Sequence, residues 1–158
     1  MTEIKINKVI SVIVKNEHSV LSRISGLFAG RGYNIQSLTV APIPETNLSR
    51  FTIKTSGDKR VIEQIIKQLN KLIPVLKVIQ HDGIIEKEMA IVKIPIEESL
   101  ADIDALCRAY NGKIVNVSED SIVTMVADEP ERVENFLKAI KKYHPKEIVK
   151  GGSVAIEQ

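Results

Sequence analysis

Tryptophan is missing from this sequence, and aromatic residues make up only 4% of it. That is too few for the exposed rings on which single-stranded nucleic acid stacks. Charge of one sign is also scarce: 22 basic and 20 acidic residues leave a net +2, so no nucleic-acid partner is expected. The single cysteine, Cys107, excludes an intrachain disulfide framework and a multi-cysteine metal site. It falls in an apolar helical pattern with Leu100, Ile103 and Tyr110, where a buried structural thiol is the expected role. No apolar run approaches the ~20 residues that span a bilayer. The opening residues MTEIKINK lack the apolar core of a signal peptide. The expected setting is therefore cytoplasmic, with no membrane contact.

Signatures of catalysis are lacking too. His18, His81 and His144 lie far apart in different local patterns, whereas a metal site needs ligands that converge. Gly26, Gly30 and Gly32 follow the start of their helix and so fail the context of a dinucleotide fingerprint. Gly112-Lys113 lacks the earlier glycine of a phosphate loop. Glu97-Glu98 reads as a solvated helix start, not as paired acid/base carboxylates. His144 beside Pro145 reads as a polar helix end, and His81 as a linker residue. His18 sits in a helix-entry turn, where it can line a pocket or simply face water.

What is present is 44% hydrophobic and 27% charged residues over 158 positions, enough for one ordinary domain or two small ones. The stretch Asn16 to Val40 organises the first half. Val20, Leu21, Ile24, Leu27 and Phe28 fall on one face at helical spacing. Asn16 and Ser19 can cap its first turn through their side-chain oxygens, and Gly30 and Gly32 mark its stop. Before it, Lys8 to Val14 is a near-continuous apolar run, as in a strand covered on both faces. After it, Tyr33 to Val40 reads as a strand, Ala41 to Asn47 with its two prolines as a connection, and Arg50 to Thr55 as an antiparallel strand with one wet face. A helix with Val61, Ile62, Ile65, Ile66, Leu69 and Ile73 on one side ends at Pro74, and Val75 to Ile79 is a fourth strand.

The order strand, helix, strand, strand, helix, strand then recurs. Met89 to Ile96 is a strand and Glu98 to Tyr110 a helix closed by Asn111-Gly112. Lys113 to Ser118 and Ser121 to Ala127 are strands around an Glu119-Asp120 turn. Pro130 opens a helix, and Glu147 to Ile156, broken by Gly151-Gly152, is the last strand or strand pair. The fold class expected is α+β: two ferredoxin-like βαββαβ domains with antiparallel sheets and helices on one face. Their ranges are 1–81 and 84–158, with the boundary near His81-Asp82-Gly83.

The turn before the first helix and the strand after it can hold a free amino acid. Amides around Ser19 and Val20 suit a carboxylate. Side-chain oxygens of Asn16 and Asn34 suit an ammonium, and Val20 with Ile35 can wall a small apolar side chain. Asn34 lies a helix away from that turn, so a neighbouring subunit can supply it. The same residues also read as a plain cap and a plain turn, and their pattern leaves both readings open.

A resemblance rests on several ordered runs: Asn16-Glu17, Leu21-Ser22-Arg23, Gly26-Leu27-Phe28, Arg31-Gly32-Tyr33-Asn34-Ile35, Ser37 to Pro42, Leu48-Ser49-Arg50 and Lys67 to Leu72, with Glu88 and Val92-Lys93-Ile94 beyond. Together they resemble the small regulatory subunit of acetohydroxyacid (acetolactate) synthase, densely over the first half and thinly over the second. The resemblance implies an N-terminal ACT domain, a homodimer through paired ACT domains, and a branched-chain amino acid between them. The effector is usually valine, with leucine and isoleucine as alternatives. Carried over by position, Asn16, Ser19, Val20, Asn34 and Ile35 would contact it. The resemblance also implies a non-catalytic chain that activates a large catalytic subunit and makes it sensitive to feedback in branched-chain amino acid biosynthesis. Thiamine diphosphate, Mg and FAD would then belong to the large subunit, with no cofactor and no metal on this chain. One departure stands out: Ser19 occupies a position where the family normally has glycine. An ACT-type sensor acting on a different enzyme or on a transcription regulator is the second reading.

Overall fold

The computed structural model describes residues 4–80 and 82–158, so His81 and the linker role expected of it lie outside the described residues. The chain divides into two compact units, Met1–Ile85 with Ala155–Gln158, and Glu86–Val154.

The first unit contains β1 (Ile6–Lys15), α1 (Val20–Arg31), β2 (Asn34–Pro42), β3 (Leu48–Gly57), α2 (Lys59–Asn70) and β4 (Val75–Gln80). Its strands lie in the order β2-β3-β1-β4, and every observed pairing is antiparallel. Both helices pack their apolar stripes onto one face, where Ile24 and Phe28 of α1 and Ile62, Ile65 and Leu69 of α2 meet Ile10, Val12, Phe51 and Ile53 of the sheet. Burying side chains of this size contributes about 1.5–3 kcal/mol each, and that drives the two amphipathic stripes onto the sheet.

The second unit repeats the order. β5 (Ile84–Pro95), which begins two residues before that unit, is followed by α3 (Leu100–Ala109), β6 (Gly112–Val117), β7 (Ser121–Asp128), α4 (Pro130–Ile140) and β8 (Glu147–Lys150). These strands run β6-β7-β5-β8, and β9 (Val154–Glu157) pairs with β5 outside that path. Ile103 and Cys107 of α3 and Val133, Phe136 and Ile140 of α4 cover Ala90, Val92, Ile94, Ile122 and Val126. Cys107 is fully buried, and burial, helped by the nearby Asp104 carboxylate, pushes its thiol up to about 11. Pro130 stands in the first turn of α4, where its missing N–H costs nothing.

Local details depart from the sequence reading. Gly30 lies inside α1, and only Gly32, at φ 66°, closes it. β2 continues through Ala41 to Pro42 because it is the sheet's edge strand, where a proline forfeits no ladder bond. The second face of β3 is not wet. Thr52 is only 4% exposed and Arg50 and Lys54 are half-buried, because β3 runs between two neighbours and Arg50 lies along the sheet with Nη2 on Ser11 Oγ at 3.0 Å. α2 ends at Asn70, which leaves Ile73 in the following turn at 89% exposure. α3 starts at Leu100, two residues after Glu98, because Ser99 Oγ accepts from the Asp102 amide and fixes the start. No helix among the described residues is long and apolar enough to cross a membrane.

Candidate functional site

At the end of β1 the chain leaves the sheet and turns into α1. The Lys15 amide donates to the Pro74 carbonyl and the Asn16 amide to the Asn47 carbonyl, each at 3.0 Å, which anchors the exit. Residue 19 then takes φ 65°, ψ 10°, a left-handed conformation that costs a residue with a β-carbon roughly 1–2 kcal/mol. Ser19 thus stands in the backbone geometry that a glycine adopts freely.

That geometry corrects one expectation. The Ser19 side chain does not cap α1. Its Oγ donates instead to the His18 carbonyl oxygen at 2.6 Å. The Ser19 carbonyl accepts the first helical bond, from the Arg23 amide at 2.9 Å. The amides of Val20, Leu21 and Ser22, with no acceptor inside the helix, point out of its N-terminus, where the partial positive charge favours an anion.

Beside this N-terminus lies an open crevice of ≈ 140 Å³. Val14, Val20 and Phe51 form its buried apolar floor, and Asn16, Glu17 and Val40 are among its rim residues. Cavities of about 150 Å³ take up a molecule of benzene's size, so the crevice matches a small metabolite, not a nucleotide. A carboxylate can meet the helix amides, an ammonium can meet the Asn16 or Glu17 oxygens, and a short apolar side chain can rest on the floor.

Of the residues expected from the sequence, Asn16 and Val20 line this crevice, and Ser19 forms the turn beside it. Asn34 and Ile35 do not join them. Asn34 lines a separate crevice of ≈ 320 Å³ with Tyr33, Ser56 and Gly57. Its Nδ2 donates to Ser56 Oγ at 3.0 Å, and its carbonyl accepts from the Thr55 hydroxyl. Ile35 packs against the core of the first unit. The register explains the separation. Val14 faces Ser49 at one end of β3, while Asn34 faces Ser56 near the other, a distance of roughly 23 Å at strand rise. His18, the other candidate, contributes its carbonyl to the turn. The floor residues Val14 and Phe51 escaped the sequence reading because they belong to the strands' buried alternation. The β1–β3 pairing brings Phe51 beside Val12, while Val14 stands at the end of β1 just before the turn.

Two family models cover almost the whole chain. One described as an acetolactate synthase (AHAS) small subunit-like ACT domain matches residues 10–77, and one described as the small subunit of acetolactate synthase matches residues 87–158. The probable acetolactate synthase small subunit of Archaeoglobus fulgidus is 39% identical over 149 residues, covering 93% of this chain and 94% of that one. The acetolactate synthase small subunit of Haemophilus influenzae is 37% identical over 155 residues, covering 96% and 95%. The crystal structure of the acetolactate synthase small subunit from Thermotoga maritima superimposes with a TM-score of 0.90 at 34% identity, over 97% of this chain and 98% of that one.

Proposed function

Since the chain belongs to the family of acetolactate synthase small subunits, we propose that it is a regulatory subunit that binds valine and conveys that binding to a catalytic large subunit. The chain raises the activity of the large subunit, performs no chemistry itself, and makes acetolactate formation sensitive to the end product of branched-chain amino acid biosynthesis. Thiamine diphosphate, Mg and FAD reside on the large subunit.

The observation that carries this reading is the crevice at the α1 N-terminus, with its unused amides, apolar floor and small volume. The position of Asn34 supports a site shared by two copies. β2 is an edge strand, with its backbone groups on one side open to a second strand. Antiparallel pairing of β2 with the same strand of a copy, along its whole length, sets residue 34 of one opposite residue 42 of the other. Val40 near that end lines the crevice, so a homodimer joined through these edges brings Asn34 of one subunit to the crevice of the next. Valine then prefers one arrangement of the pair, as any effector must if it is to shift an equilibrium. Coupling of about 1–3 kcal/mol is the usual scale.

Reconstitution with a large subunit of the same family tests the proposal. The chain is expected to increase acetolactate formation, valine to reduce it, and calorimetry to report heat of binding with valine, weaker with leucine and isoleucine. No heat with any of the three, together with activity indifferent to them, would overturn the sensor. Capture of a different enzyme in place of the synthase would favour the second reading.

A further inference from the structure

Leu72 to Leu76 joins α2 to β4 and sends its large side chains in two directions. Leu72 and Val75 pack against the core of the first unit, and Pro74 is buried. Ile73 and Leu76 stand outside, 89% and 51% exposed. A register shift sets Leu76 there. Val14 faces Val75 and Ile13 faces Lys77, so Leu76 is an extra residue with no partner on β1, and a bulge of this kind re-aims a side chain. The turn is fixed as well as exposed. The Val75 amide donates to the Leu72 carbonyl and the Lys15 amide to the Pro74 carbonyl, each at 3.0 Å, and the proline ring locks its own φ. Single aliphatic side chains on a surface are ordinary. Two on one rigid turn, one of them placed by a bulge, form an apolar knob. Charge along this stretch has one sign: from Gln64 to Gln80 the chain carries Lys67, Lys71 and Lys77, all exposed, and no Asp or Glu.

We propose that Ile73 and Leu76 dock this chain on the catalytic large subunit, in an apolar pocket rimmed by carboxylates. The inference rests on the regulatory reading above and gives it a contact surface. An apolar centre within a polar rim is the anatomy of a specific protein contact, and a knob that is already rigid loses little freedom on docking. The lysines call for carboxylates opposite. A second copy of the chain would bring the same lysines against these, so like charge opposes self-pairing at this turn. The position of the knob also suits a regulator. Lys15, bonded through its amide to Pro74, lines the crevice at the α1 N-terminus. One hydrogen bond therefore joins the docking turn to the turn that meets the effector, and a ligand that shifts the second shifts the first.

Biolayer interferometry of the full chain on the large subunit of its own organism tests it. Ile73→Asp is expected to weaken binding by about a hundredfold, and Leu76→Asp by at least about tenfold. Ile4→Asp, at a residue 81% exposed elsewhere on the first unit, is expected to leave binding unchanged. All three variants are expected to melt with the parent, since each side chain faces water. Lys71→Glu combined with Lys77→Glu is expected to weaken binding about tenfold. Ile73→Asp binding as well as Ile4→Asp, or the lysine exchange without effect, would overturn the proposal. So would loss of self-association in Ile73→Asp with large-subunit binding intact. A parent chain that binds no large subunit would overturn the regulatory reading and this contact with it. A parent that binds, with Ile73→Asp binding equally well, would remove this contact alone.

Discussion

The Nδ2 of Asn34 donates to Ser56 Oγ at 3.0 Å across the β2–β3 pair, which holds the carboxamide at the mouth of its crevice with the oxygen still free to accept. Asn34→Ala removes that acceptor and, on the shared-site reading, is expected to weaken valine binding by at least about tenfold. Activation of the large subunit is expected to persist. Calorimetry with valine and a reconstituted activity assay measure the two effects separately.

The turn before α1 separates backbone strain from side-chain capping. Ser19 makes no cap hydrogen bond, so Ser19→Ala is expected to change stability by less than about 0.5 kcal/mol, whereas loss of a working cap costs about 1 kcal/mol. Asp58 is such a cap, its Oδ1 accepting from the Val61 amide at 2.8 Å, and Asp58→Ala is expected to show that cost. Ser19→Gly, which removes the β-carbon from the left-handed position, is expected to gain up to about 1 kcal/mol. Urea unfolding of the three variants makes the comparison.

Asp128, buried before α4, receives the Glu129 amide at 2.8 Å, Arg132 Nε at 2.6 Å, Asn111 Nδ2 at 2.8 Å and Lys87 Nζ at 3.2 Å. The Glu129 amide first, then Arg132, hold its carboxyl well below the usual carboxylate range. A carboxyl depressed in the folded state stabilises above its unfolded value of 3.8 and loses that contribution as pH falls below it. Asp128→Asn is expected to cost about 2 kcal/mol at neutral pH. The gap from the parent protein is expected to narrow as acid unfolding is measured below about pH 4.

Cys107 is expected to resist alkylation in the folded protein. Full burial keeps reagents out, and a thiol at about 11 holds almost no thiolate near neutral pH. Iodoacetamide labelling followed by mass spectrometry should show modification only in denaturant.

Features set by local chemistry were legible in the sequence: the α1 stripe except for Leu21, which is 48% exposed, Pro130 at a helix start, the tight turn at Glu119-Asp120, and the repeated element order that yields two like-ordered sheets. Features set by neighbours were not. Pro42 looks like a strand breaker until β2 is known to be an edge, and Thr52 looks wet until β3 is known to be flanked on both sides. Ser19 is a good cap by residue type, but its left-handed backbone turns the hydroxyl back onto His18. The crevice was half legible. Val14, Asn16 and Val20 are close in sequence, whereas Phe51 and Val40 reach them only through strand pairing.

The length of β3 between the crevice and Asn34 has a genetic corollary on the shared-site reading. A chain defective at Val20 and a chain defective at Asn34 are each insensitive alone, yet a mixed pair gathers both lesions into one crevice and leaves the other whole. Cells carrying both alleles are then expected to regain part of the response to valine that neither allele gives by itself.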